Sequence, residues 1–180
     1  MAKALLITRD DIVKHTALNG NVDVDLYVQF IKIAQDTHIQ NYLGTDLLEK
    51  IESLIIAGTL DDLVNEKYKT LLVDYVKPML IQWAMVEYLP FSAYSIANKG
   101  VFKHSSENSV NAEKFEIDFL VEKSRDIAQH YTQRFIDFIC FKTAEYPEYN
   151  SNSNGDMYPD TDSNFSGWVL TLTLLIGTFI

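Results

Sequence analysis

The residue types that most often carry chemistry in proteins are scattered along this 180-residue chain. Four histidines stand alone, at His15, His38, His104 and His130. A metal site on a helix usually shows two histidines three or four residues apart, so this spacing is typical of surface or edge histidines. The single Cys140 lies between apolar neighbours, which predicts a small buried hydrophobe rather than a nucleophile and leaves no partner for an intrachain disulfide.

Paired carboxylates have a structural explanation in this sequence. Asp10 with Asp11, and Asp61 with Asp62, stand where helices are predicted to begin, and acidic side chains cap helix N-termini and interact favourably with the helix dipole. The sequence contains none of the motifs GxxxxGK[ST], GxGxxG, HExxH, GxSxG or CxxC. We therefore expect no enzymatic activity and no cofactor. An enzyme would become the better hypothesis if a pocket joined His38 or His130 to several carboxylates.

The charge balance limits the classes of partner. Fifteen Lys and Arg against 25 Asp and Glu give a net charge of −10, which disfavours binding to the phosphates of nucleic acids or anionic lipids. The N-terminal residues lack an apolar stretch of signal-peptide length, so we expect synthesis in a reducing cytoplasm. The composition is 47% hydrophobic with 7 Gly and 4 Pro, which is typical of a folded helical domain.

Apolar residues recur at helical spacing over most of the chain. The spacing predicts a helix from Asp23 to Gly44, a second that ends at Gly58, and a third that is kinked or broken near Lys77 by Pro78. Residues 91–111 are predicted to form a short helical piece and a surface loop, with a tight turn at Lys99 and Gly100. The longest helix, about 112–143, is expected to bury one stripe made of Ile117, Leu120, Ser124, Ala128, Tyr131, Phe135 and Phe138.

The sequence thus predicts an all-α fold, a bundle of four or five helices with an extended C-terminal arm that ends in a β-strand. Its parts are an N-terminal arm at 1–22, to which we give little weight in the fold, a helical domain at 23–143 and the C-terminal arm at 144–180. Of the 25 residues from Thr143 to Gly167, 15 are Pro, Asn, Ser, Gly or Asp, which indicates an extended tail.

The last 13 residues, WVLTLTLLIGTFI, are the most unusual feature of the chain. Threonine alternates with leucine, which predicts a strand, and the run is shorter than the roughly 20 apolar residues of a membrane-spanning helix. This strand could fold back onto the helices or complete a sheet in another subunit or protein, and we favour the second because the helices already have partners. The expected interface residues are Phe165, Trp168, Leu170, Leu172, Leu174 and Ile176.

Three segments resemble a known family. They are YVQFIKIAQDTHIQNYLGTDLLEKI from Tyr27, YKTLLVDYVKPMLIQWAMVEYLPFSAYSIANKGV from Tyr68, and PDTDSNFSG from Pro159. In this order they resemble the head-to-tail adaptor proteins of crAss-like and related Bacteroidetes-infecting tailed phages, over roughly residues 20–167. The run WVLTLTLLIGTFI does not match the pattern of that family.

The resemblance implies a structural virion protein at the neck, or head-tail junction. Such adaptors form a ring beneath the portal, usually of twelve copies. The implied partners are other copies of the chain, the portal protein and the next ring or tail protein, while genomic DNA passes through the channel without specific binding and no membrane is involved. The alternative is a non-enzymatic helical regulatory module that binds another protein through the same C-terminal arm.

Overall fold

The computed structural model describes residues 3–16, 18, 24–92, 94–97, 100–103, 113–153 and 155–162, with only the backbone described for 24–26 and both strands. Its long helices are α2 (Val24–Ala34), α4 (Thr45–Ala57), α6 (Lys77–Tyr88) and α7 (Lys114–Phe141). The short helices are α1 (Arg9–His15), α3 (Gln40–Leu43) and α5 (Glu66–Leu71), and 3-10 turns lie at Leu63–Asn65, Leu89–Phe91, Thr143–Glu145 and Pro147–Asn150. The described chain is mostly helical, as the sequence predicts.

Helix α6 is the centre of the fold. It packs against α2 on one side and α7 on another, and none of its twelve residues is exposed. Such a helix is stable only when other elements cover every side of it. Its buried residues are Met79, Leu80, Ile81, Trp83, Ala84, Met85 and Val86.

The irregularity expected near Lys77 is present directly before that residue. A π-helical turn, Leu72–Val76, joins α5 to α6, and Lys77 N–H bonds to Leu72 O across five residues. Proline has no N–H with which to bond the carbonyl four residues before it. Asp74 O, which is that carbonyl, instead accepts a bond of 3.4 Å from Arg134 Nη1 on α7.

Residues 94–97 and 100–103 differ from the prediction of a helical piece and loop over 91–111, and residues 104–111 of that range lie outside the described residues. Strands β1 (Tyr94–Ala97) and β2 (Gly100–Lys103) form an antiparallel hairpin in which Ala97 pairs with Gly100. The expected chain reversal therefore falls between these two residues, within a hairpin. The strand-favouring residues of YSIA outweigh the helical spacing that continues from α6.

The buried apolar stripe predicted for the longest helix is confirmed only in the C-terminal half of α7. Ala128 and Phe135 are fully buried, whereas Leu120 is exposed. Cys140 is also exposed, which corrects the expectation of a buried thiol. Consecutive residues of a helix point to different sides, so the apolar neighbours Ile139 and Phe141 do not fix the environment of Cys140.

The N-terminal segment belongs to the core, which corrects the expectation that it has little weight in the fold. Leu6, Ile7 and Ile12 are buried, and Thr8 with Asp11 forms a capping box at the start of α1. Buried Gln35, in the π-helical turn Gln35–Ile39 between α2 and α3, holds this segment in place. Its amide accepts from Leu6 N–H at 3.0 Å and donates to Ala4 O and to Glu52 Oε1.

Replacing Glu52 by glutamine is expected to stabilise the protein at neutral pH. Burial raises the pKa of the Glu52 carboxyl above its ordinary value, so the folded state holds the proton more tightly than the unfolded state does. The native protein therefore loses stability as the pH rises through the folded pKa, and this contribution is restored below the unfolded pKa of about 4.3. Glu52→Gln removes this loss of stability at neutral pH, because the side chain at position 52 then carries no charge. Its carbonyl oxygen can still accept the hydrogen bond from Gln35 Nε2.

Urea unfolding at pH 4 and pH 7 measures this effect. The midpoint for Glu52→Gln should exceed that of the native protein at pH 7 and approach it at pH 4. Glu122→Gln, on an exposed part of α7, removes the same charge and should change neither midpoint. An identical gain for Glu52→Gln at both pH values would contradict the explanation.

Candidate protein-interaction site

The six interface residues predicted from the sequence lie outside the described residues. They are Phe165, Trp168, Leu170, Leu172, Leu174 and Ile176. The structure does describe the chain that leads to them, as far as Asp162, and it also shows exposed apolar residues elsewhere on the body that the sequence did not single out.

The first part of the predicted C-terminal arm is packed against the helices. We call residues 146–162 the strap. Tyr146 and Tyr149 are buried in the core, and Tyr146 Oη donates to Lys67 O at 2.9 Å. Burial raises the pKa of Tyr146 to about 12, so the phenol remains a donor at physiological pH. Tyr68 Oη on α5 donates in turn to Glu148 at 2.9 Å. These contacts correct the expectation that the chain becomes an extended tail at residue 144.

The middle of the strap is bonded to the start of α4. Asp46 Oδ2 accepts from Ser151 Oγ at 2.7 Å and from the N–H and hydroxyl of Ser153, both at 2.9 Å. The bond from Ser151, followed by the one from the Ser153 N–H, lowers the pKa of the Asp46 carboxyl. Asp156 Oδ2 accepts from Thr45 Oγ1 at 3.0 Å.

The end of the strap crosses Gly44, the residue between α3 and α4. Thr45 N–H donates to Met157 O at 3.0 Å and Asp160 N–H donates to Asn41 O at 2.8 Å. Pro159 lies so close to Gly44 that a Cβ atom there would be 2.8 Å from Pro159 Cδ. The strap thus places its last residues, up to Asp162, beside the end of α3.

Two apolar patches are exposed on the helical body. The α7 patch consists of Phe115 and Phe119, which lie one turn apart and are 66% and 65% exposed. The α5 patch consists of Leu63 and Val64, 89% and 80% exposed, with Val73 beside Leu63 in the same shallow hollow. Exposed apolar side chains that cluster in this way are typical of protein interfaces.

The two patches lie near opposite ends of α7. Lys67, one turn after Leu63, donates to Glu145 O just beyond the C-terminus of α7, while Phe115 is in its first turn. At 1.5 Å per residue the 28 residues of α7 span about 40 Å. One subunit therefore presents two different apolar patches in two different places.

The described side chains do not form a recognisable catalytic or metal centre. His38 stacks on Trp83 with ring centroids 4.0 Å apart and bonds one carboxylate, Glu87, at 2.9 Å. No group of three or more His, Cys, Asp or Glu residues able to hold a metal occurs among them. A hollow of about 320 Å³ contains Lys77, but that ammonium group is already bonded to Asp11 at 3.0 Å. None of the described helices is both long and apolar enough to cross a membrane.

Comparison with known proteins gives one match. A family model described as a family of unknown function (DUF6712) matches residues 39–158, more than half of the chain. The matched range begins in the π-helical turn before α3 and ends in the strap, so it includes α7 and both apolar patches. No curated protein and no solved structure matches the chain.

Proposed function

The chain belongs to the DUF6712 family, and we propose that it is a structural head-tail adaptor of a tailed phage, which assembles into a ring beneath the portal. The observation that carries this proposal is the pair of exposed apolar patches near the two ends of α7. A ring needs a heterologous interface, in which one patch of each subunit docks on a different patch of the next. The proposed contact joins the α7 patch of one copy to the α5 patch of its neighbour.

The negative charge of the chain supports the proposal that it lines a DNA channel. A net charge of −10 repels the phosphate backbone, so packaged DNA could slide past without being held. A basic lining would instead bind the DNA and slow its passage. In this proposal the ring extends the channel below the portal and docks the next ring or tail protein at the virion neck.

The C-terminal segment supplies the second type of contact in the proposal. Residues 168–176 carry no charge and alternate in the manner of a strand, and the strap holds the chain just before them. Phe165, Trp168, Leu170, Leu172, Leu174 and Ile176 are the proposed interface residues of this segment. Strand addition to another subunit or to the portal would pair main-chain groups that otherwise promote aggregation.

Replacing Phe115 and Phe119 together by serine is expected to abolish the ring. Native mass spectrometry or light scattering should give a mass near twelve copies for the full chain and one copy for the double variant. Burial of each phenylalanine in an interface contributes about 1.5–3 kcal/mol, so the loss per contact is a large fraction of a subunit interaction.

Phe141→Ser is the matched control, because Phe141 is also an exposed phenylalanine of α7 but belongs to neither patch. It should leave the mass unchanged. A chain that ends at Asp162 tests the C-terminal contact with portal protein, and it keeps the buried tyrosines of the strap. A stable monomer that ignores the portal in every form would favour the alternative of a helical regulatory module.

A further inference from the structure

We propose that the C-terminal segment of one copy adds as a third strand to the free edge of β1 in a neighbouring copy. This inference rests on the proposed ring and names the acceptor for the arm. The sequence predicts a strand in residues 168–176 but offers no recognisable partner for it. The structure supplies one, since β1 and β2 form a two-stranded sheet.

The hairpin is smaller than a sheet that is stable by itself. Each strand has four residues, and within the described chain each has only the other as its neighbour. A two-stranded hairpin is marginally stable in water, and a third strand supplies both main-chain bonds and packing. The hairpin and the predicted C-terminal strand would thus both gain main-chain hydrogen bonds and packing if they paired with each other.

The register indicates which main-chain groups are free. Two residues separate Ala97 from its partner Gly100, and in a two-residue turn the flanking pair exchanges hydrogen bonds. Bonded and non-bonded pairs alternate along an antiparallel ladder, so Ser95 bonds to Phe102 while Ile96 and Tyr94 direct their N–H and C=O groups away from β2. These groups of β1 are the proposed acceptor edge.

The residue types favour β1 over β2 as the acceptor. β1 has the sequence YSIA, with no charge, glycine or proline, whereas β2 begins with Gly100 and ends with Lys103. Lysine on an edge strand discourages the addition of another strand, and glycine weakens a strand. The donor run, Trp168 to Ile176, is likewise free of charge, glycine and proline and is bounded by glycines on both sides.

The described end of the arm and the hairpin lie apart in one subunit. Asp160, two residues before the last described residue, is bonded to Asn41 in α3. The hairpin follows α6, whose last residue, Tyr88, contacts Tyr27 near the start of α2, with ring centroids 5.0 Å apart. Helices α2 and α3 are joined without a break, and 14 residues from Tyr27 to Asn41 span about 20 Å. Donor and acceptor therefore lie toward different ends of the α2–α3 segment in one subunit, and the heterologous contact of the proposed ring would bring the arm of one copy to the hairpin of the next.

Disulfide cross-linking between copies tests the inference. In a Cys140→Ser background, Ile96→Cys is combined with a cysteine placed in turn at each position from Val169 to Leu175. Two differently tagged forms, one with each cysteine, are mixed and oxidised. We expect cross-links between the tagged forms whose yield alternates with a period of two residues, because successive side chains of a strand lie on opposite faces.

A proline in β1 tests whether the outward main-chain groups of this strand bind the added strand. Ile96→Pro removes an outward N–H without removing a bond of the hairpin, whereas Ile96→Thr retains it. With Tyr94→Cys as the acceptor cysteine, the proline variant should lose the cross-link and the threonine variant should retain it. Rings that form without any cross-link between the two tagged forms would overturn the inference and leave the proposed function standing. A monomer under all conditions would overturn both.

Discussion

Replacing Gly44 by alanine is expected to lower the free energy of unfolding by about 2–4 kcal/mol, from backbone strain and steric overlap together. Gly44 has φ 73° and ψ 160°, a conformation that is essentially restricted to glycine. An added Cβ would also lie 2.8 Å from Pro159 Cδ and 3.2 Å from Pro159 N, where the rigid proline ring cannot rotate away. The variant should therefore be less stable, and the strap should no longer pack against position 44.

Gly58→Ala measures the cost of a left-handed helical conformation at a position without steric overlap. Gly58 also has a positive φ, of 68°, but nothing lies within 4 Å of the position of its Cβ. Gly58→Ala should therefore lower the free energy of unfolding by about 1–2 kcal/mol, from backbone strain alone. Urea unfolding measures both variants, and limited proteolysis at residues 155–162 should increase for Gly44→Ala only. Equal losses in the two variants would mean that neither the more restricted conformation of Gly44 nor its contact with Pro159 adds to the cost.

Replacing Gln35 by leucine is expected to cost about 2–5 kcal/mol, because several buried polar groups lose their partner at once. The side chain of Gln35 is fully buried and bonds Leu6 N–H, Ala4 O and Glu52 Oε1. Leucine has nearly the same volume, so the loss would come from unsatisfied groups rather than from a cavity. The N-terminal segment should detach before the rest of the fold unfolds.

Gln129→Leu is the control for this prediction, since Gln129 lies on α7 and is only partly buried. It makes the same chemical change and should shift stability by less than about 0.5 kcal/mol. Hydrogen exchange at Leu6 N–H provides the specific readout and should rise sharply in Gln35→Leu. A variant with native stability and a protected Leu6 would show that the amide is dispensable.

Local patterns predicted the helices because helix formation depends on neighbours in sequence. Gly44 and Gly58 end helices as predicted, and the effect of Pro78 falls close to Lys77, since a missing N–H and a positive φ act within one or two turns. The hairpin at Tyr94–Lys103 was missed because its short strands continue an apolar run that also fits a helix. Composition was misleading for the strap, where Tyr146 and Tyr149 anchor a segment rich in Asn and Ser.

The sequence by itself determined a mostly helical, acidic chain without known catalytic motifs, because composition and periodicity are properties of the linear order of residues. Tertiary structure alone decided which apolar residues are covered. Phe115 and Phe135 fit equally well in an apolar helix, yet the first is exposed and the second buried. The buried residues of α7 all lie in its C-terminal half, where Trp83 of α6 bonds to Thr132. The apolar patches follow from that partial coverage, since burial depends on which elements meet in space and not on the residue type alone.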